Sequence, residues 1–303
     1  MKRIALGHVL PAVAAACFYG LGSAPALANT WAIYIMNADG SEVQKIRYDR
    51  QAMFGSPSWL NDGKRIAYDG GPNGFENSHI YVQTLGEDVA KDIGAGNCPS
   101  FSPDDQQVAF FMTGRNASGA RPGIYVMNAD GANREWICEG SRPRWSPDGE
   151  KLVMASGHEG FASLYVYDTV SLERTRVLAR GYDNVIGAAF SPDSSRLVFI
   201  GFKSGQVQVG STIQEGDVAI VDAKADSQPE VVCHSRVGWH PDWSPAADKL
   251  LFRISDGSVE RLQILDLEGD NKPAAIPNQL GRTNRDATWS PDGKRIAFVS
   301  DRE

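Results

Sequence analysis

Apolar and polar positions alternate along most of this chain in short runs, separated by turns rich in Pro, Asp and Gly. Lys294-Arg295-Ile296-Ala297-Phe298-Val299-Ser300 is one such run. Its two-residue period and its β-branched and aromatic content predict a strand, and helical periodicity is missing from the equivalent segments. Two strings recur around these runs. Variants of Trp-Ser-Pro-Asp-Gly begin at Trp59, Phe101, Trp145, Phe190, Trp243 and Trp289, at spacings of 42, 44, 45, 53 and 46 residues. Variants of Ile-Tyr-Val-Met-Asn-Ala-Asp-Gly begin at Ile33, Ile80, Ile124, Leu164, Val218 and Leu262.

Each string has a mechanical role. In the first, the aromatic closes an inner strand, Pro sets φ for a turn, Asp accepts backbone hydrogen bonds and Gly takes positive φ. The second is a strand followed by a tight reversal into another. Two turns and four strands make one antiparallel blade, and a period of 40–50 residues suits a β-propeller. After the N-terminal segment the chain opens on the second string and closes on the first, so each end carries half a repeat. The expectation is an all-β, six-bladed β-propeller with four antiparallel strands per blade. Its N-terminal strands would pair with its C-terminal strands in one blade and close the ring without an exposed seam.

The paired strings, which stand without a change at Trp289–Phe298 and Ile124–Gly131, resemble the repeats of TolB-type propellers. The resemblance covers nearly all of the chain after its N-terminal segment. It implies the fold far more than the function, because the motif residues sit in turns and core. Similar repeats occur in envelope scaffolds, in the propeller portions of peptidases and in polysaccharide lyases. TolB itself carries an α/β domain ahead of its blades, whereas here the repeats begin at Trp31. The expectation is a propeller without that domain.

The N-terminus reads as a signal peptide over residues 1–28, with the propeller spanning 29–303. Lys2 and Arg3 precede an apolar stretch, and Ala26-Leu27-Ala28 offers a small-x-small cleavage site. Lipidation at Cys17 is the rival reading. Both imply a periplasmic or secreted protein. Removing the segment takes the formal net charge from −7 to −9. An acidic balance argues against nucleic acid, whose affinity comes from basic surface. Cys98, Cys138 and Cys233 remain. They read as buried small hydrophobes, with a Cys98–Cys138 bridge as the alternative.

No catalytic, phosphate-binding or zinc motif stands in the sequence, and neither a cofactor nor a metal is expected. The recurring Asp62, Asp104, Asp148, Asp193 and Asp292 fall at one step of a repeated turn and read as turn residues rather than calcium ligands. Any working site should lie where the repeats diverge. Three residues before the motif aromatics stand Ser56, Cys98, Arg142, Gly187, His240 and Asp286, and one step further out are Gly55, Asn97, Ser141, Ile186, Trp239 and Arg285. Such divergence fits a ligand-binding channel rim, and neutral drift would look the same. The candidates are Arg142, Trp239, His240, Arg285 and Asp286, with His158 from the loop Ala155–Ser163. Together they offer guanidinium, imidazole, carboxylate and aromatic groups to a peptide or an acidic sugar. A metal site from His158, His234 and His240 is a lesser alternative. Asn116-Ala117-Ser118 matches a glycosylation sequon, and Gly201–Gly216 reads as an inserted loop.

The expected function is an exported, monomeric, non-enzymatic binding module that presents its channel rim to a protein or peptide of the cell envelope. One alternative is a polysaccharide lyase or hydrolase-like enzyme with its site around His240. Another is an orphan relative of peptidase propellers.

Overall fold

The computed structural model describes residues 31–72, 77–113, 119–158, 161–178, 181–203, 215–270 and 272–302. The expected signal peptide over residues 1–28, Cys17, the Asn116 sequon and most of the expected Gly201–Gly216 insertion lie outside them. Regular structure among the described residues is β-strand. No helix among them is long and apolar enough to cross a membrane.

The chain starts with β1 (Ala32–Asn37) and β2 (Gln44–Arg47). Three four-stranded antiparallel sheets follow in chain order. The first holds β3 (Met53–Trp59), β4 (Arg65–Gly71), β5 (His79–Thr84) and β6 (Ala90–Ala95). The second holds β7 (Asn97–Phe101), β8 (Gln107–Met112), β9 (Gly123–Asn128) and β10 (Glu135–Cys138). The third holds β11 (Ser141–Trp145), β12 (Lys151–His158), β13 (Phe161–Asp168) and β14 (Arg174–Arg176). A seven-stranded sheet comes next. Its strands are β15 (Asn184–Phe190), β16 (Arg196–Phe202), β17 (Glu215–Asp222), β18 (Glu230–Trp243), β19 (Lys249–Ser255), β20 (Glu260–Asp266) and β21 (Ala274–Ala275). The last strands, β22 (Asn284–Trp289) and β23 (Arg295–Ser300), return to β1 and β2 in a sheet of order β2-β1-β23-β22.

Where the sequence predicts six separate four-stranded sheets, the structure has four, plus one sheet of seven strands. The cause is β18. At four of the other five passages from an outer strand to the next inner one a glycine intervenes, at Gly96, Gly140, Gly181 and Gly281, and between Arg47 and Met53 the chain turns without one. The stretch Val231 to Val237 has no such break. One strand of 14 residues therefore pairs with β17 through its first half and with β19 through its second.

The core lies between successive sheets, which pack face to face. Ile33, Ile35 and Val299 pack against Phe54, Ile66 and Tyr68, and Leu251 and Leu262 pack against Met36, Ile296 and Phe298. Burying each large side chain of this kind contributes about 1.5–3 kcal/mol. This is the architecture of a β-propeller. The strands β1 and β23 pair antiparallel from Ala32↔Ser300 to Asn37↔Arg295.

The motif turns are built as the residue types dictate. Ser290 Oγ donates to Asp292 Oδ1 at 2.6 Å, Asp292 Oδ1 accepts from Lys294 N at 3.0 Å, and Ser290 Oγ accepts from Arg295 N at 2.9 Å. The turns at Asp104, Asp148 and Asp193 repeat the pattern. Trp243-Ser244-Pro245-Ala246-Ala247 lacks the motif carboxylate, and Asp248 supplies it from two positions later, accepting from Ser244 Oγ at 2.7 Å.

Candidate functional site at the inner strands

Every inner strand carries a β-bulge at the same step. The ladder shifts between Gly55 and Ser58, Asn97 and Ser100, Ser141 and Arg144, Val185 and Ala188, Gly238 and Asp242, and Arg285 and Thr288. Within each shift one residue has positive φ: Ser56 (46°), Cys98 (52°), Arg142 (55°), Gly187 (77°), His240 (62°) and Asp286 (52°). Five of these six are not glycine, and each left-handed residue of that kind costs about 1–2 kcal/mol of backbone strain. Bulges re-aim side chains. Here they bring Ser56, Cys98, Arg142, Gly187 and His240, from five inner strands, onto one cavity. Pro57, Pro99, Pro143 and Pro241 follow four of them in its lining.

Three of the candidates meet. An Arg142 Nη1 N–H donates to His240 Nε2, and Nε2 also lies 3.8 Å from Asp286 Oδ1. The guanidinium has only donors, so His240 must be neutral, with its proton on Nδ1. Burial pushes the His240 imidazole down to about 3; Asp286 opposes this, and Arg142, Arg144 and Arg253 reinforce it. Burial also works against the Asp286 carboxylate, but His240, once protonated at low pH, and the guanidiniums of Arg285, Arg142 and Arg253 more than offset it and hold Asp286 below the usual range. Gly187 lets the neighbouring inner strand approach closely at His240. A Cβ there would sit 3.0 Å from His240 N.

Arg285 stands beside Asp286, its Nε 4.0 Å from Asp286 Oδ2, and its Cζ lies 3.1 Å from the centre of the Trp31 ring. The backbones of Trp239 and His158 lie in β18 and β12, and their side chains are outside the described residues. His234 pairs with β17 in the outer half of β18, whereas His240 occupies the inner bulge with Nε2 engaged. The lesser metal alternative joining the two is therefore not assembled. No group of three or more potential metal ligands occurs among the described residues. Cys98, Cys138 and Cys233 are unbridged, so the alternative disulfide is absent.

Two participants escape the sequence reading. Asp69 on β4 is fully buried, accepts from Cys98 N at 2.7 Å, and leaves Oδ1 without a partner. Burial pushes its carboxyl up to about 6, helped by the charge of Asp286 and opposed by hydrogen bonds from Cys98 and Ser56 and by Arg142. Asp242 on β18 accepts from Arg144 at 2.7 Å, from Thr288 Oγ1 at 2.8 Å and from Trp289 N at 2.9 Å, tying three inner strands together. A signal for Asp69 was present. Its register position holds Phe111, Ala155, Ile200 and Val299 in other repeats, and only Asp69 and Arg253 place a charge there.

No protein-family model matches the chain. Among solved structures it superposes on a putative TolB from Agrobacterium tumefaciens with a TM-score of 0.70 at 22% identity, covering 89% of this chain and 98% of that one. The fold is that of a TolB-like β-propeller. It also superposes on TolB from Acinetobacter baumannii, with a TM-score of 0.65 at 20% identity, covering 90% of this chain and 64% of that one. In sequence it is 25% identical over 251 residues to the Tol-Pal system protein TolB of Francisella tularensis subsp. mediasiatica. That match takes in 79% of this chain and 54% of the relative, so the chain spans about half the length of the curated relatives it matches.

Proposed function

We propose that this chain is an exported, non-enzymatic binding propeller that presents the mouth of its channel to a protein or peptide partner in the cell envelope. The observation that carries the reading is the set of six bulges. They spend backbone strain at one step of every inner strand while the residue displayed differs each time. A repeated bulge that displays a different residue each time is what a ligand-binding rim would carry. The likeness to Tol-Pal system proteins supports an envelope partner. The acidic net charge supports a partner other than nucleic acid. Within this reading the blades number six, the seven-stranded sheet being two blades that share β18, and the β1–β23 pairing closes the ring of a monomer. Residues 1–28 are the export signal, and residues 29–303 form the propeller of a periplasmic or secreted protein. Arg142 and His240 line the contact cavity, with the buried Arg285 and Asp286 supporting them, and Trp239 and His158 complete the candidate set.

The enzyme alternative around His240 is the weaker one, because a general base needs the Nε2 lone pair that Arg142 occupies. Site-specific photocrosslinking in envelope extract tests the proposal. Probes at Ser141 and Ser56 should capture one protein, and Arg142→Glu and His240→Glu should abolish capture. A probe at Val170, exposed on an outer turn, should capture nothing. Equal capture at Val170, or capture insensitive to both substitutions, overturns the reading.

A further inference from the structure

A second group of titratable side chains lies away from the channel, on the outer strands β17 and β18. Asp217 and His234 face each other across this pair in register. Asp217 is buried and takes three donors. His234 Nδ1 lies 2.6 Å from its Oδ1, while Tyr182 OH at 2.7 Å and Lys203 Nζ at 2.9 Å hold its Oδ2. Burial works against the carboxylate, but His234, Lys203 and Tyr182 outweigh it and hold Asp217 below the ordinary range. An ionised Asp217 accepts only, so His234 Nδ1 carries the proton and the Nε2 lone pair points away from it. That nitrogen faces the Glu215 carboxylate, with Oε2 at 4.0 Å. Both side chains are open to water, His234 at 51% and Glu215 at 65% exposure.

We propose that His234 and Glu215 bind a divalent transition-metal ion of the zinc, copper or nickel class, with Asp217 fixing the imidazole from behind. Imidazole nitrogen with carboxylate oxygen is the donor set of those ions, and a ligating histidine with its second nitrogen on a carboxylate is the usual supporting arrangement. The spacing suits an ion. Zinc–nitrogen and zinc–oxygen bonds are about 2.0–2.2 Å each, so an ion fits between the two atoms, and rotation of two exposed side chains closes the angle. Water completes the shell on the open side. Tyr182 and Lys203 occupy the far oxygen of Asp217 and keep it out of the inner shell. The sequence reading set His234 in a lesser metal alternative with His158 and His240 and did not pair it with Glu215. This pair is 19 residues apart and meets only through strand pairing. The site is independent of the channel reading.

The test is calorimetric titration of the chelator-stripped full chain with Zn2+, and Cu2+ electron paramagnetic resonance for imidazole nitrogen coupling. One ion per chain is expected. His234→Ala should abolish binding and the nitrogen coupling, Glu215→Gln should weaken it, and Asp217→Asn should weaken it roughly 10–100-fold. Glu215→Gln alters only an exposed side chain, so it stays informative if Asp217→Asn disturbs the sheet. His79 and Asp92 form a similar pair at 2.8 Å on β5 and β6, and His79→Ala should leave the affinity unchanged. Absence of saturable binding tighter than about 1 mM overturns the proposal. So does unchanged affinity in either His234→Ala or Glu215→Gln, or loss in His79→Ala.

Discussion

The Arg142 guanidinium donates to Nε2 of His240, a residue 98 positions away and on another sheet. Removing the imidazole leaves a buried guanidinium short of one acceptor, which costs about 1–3 kcal/mol. His240→Ala should lower the unfolding free energy from urea titration by that amount. His240→Gln, which restores a side-chain acceptor, should recover part of it. If the two variants are equally stable, the hydrogen bond contributes nothing.

Protons couple to folding with opposite signs at Asp69 and His240. Asp69 is raised from 3.8 to about 6. Between those values the native state holds a proton that the unfolded chain has lost, so its contribution falls as pH rises through that window. His240 is lowered from 6.5 to about 3. There the unfolded chain takes up the proton, so its contribution rises with pH. The two offset each other between about pH 4 and 6. Asp69→Asn should leave a stability that climbs with pH over that range, and His240→Gln one that declines. Parallel slopes in the two variants would contradict both assignments.

Two glycines separate backbone strain from crowding. Gly63 has φ +64° and nothing near its absent Cβ, whereas Gly187 has φ +77° and would place a Cβ 3.0 Å from His240 N. Gly63→Ala should cost only the left-handed penalty, about 1–2 kcal/mol. Gly187→Ala should cost more and also weaken partner capture. Equal costs in denaturant titrations would mean that the inner strands yield freely at the bulge.

The turn after Trp243 offers a transplant. Asp248→Ala removes the acceptor for Ser244 Oγ and should cost about 0.5–1.5 kcal/mol. Adding Ala246→Asp, which rebuilds the motif, should return most of that. Ala247, at φ +61°, keeps the backbone of the other motif turns, so failure of the second substitution to rescue would show that the carboxylate must come from position 248 in this turn.

These cases mark what the sequence disclosed. The turns and strands were legible because Ser-Pro-Asp-Gly and alternating Ile, Ala and Phe act locally, over a few residues. The merger of sheets at β18 was not, since it depends on a missing turn rather than on a signal. The rim positions stood out as places where the repeat broke, but the bulge beneath them was invisible. Ser, Cys, Arg, His and Asp have no common preference for positive φ; the ladder imposes it. Asp69 was readable only by comparing register positions across repeats. Its partnership with Cys98, and Arg142's with His240, exist only once distant strands are assembled.

The pairing of β1 with β23 also sets a timetable. Residues 32–37 emerge from synthesis long before their partner, Arg295–Ser300. Until then Ile33, Ile35 and Met36 have no neighbour on that side, and both free sheet edges invite pairing with other chains. The slowest step in maturation should therefore be the meeting of β1 with β23, and a holding factor that shields the first of them during that wait would raise the yield of folded protein.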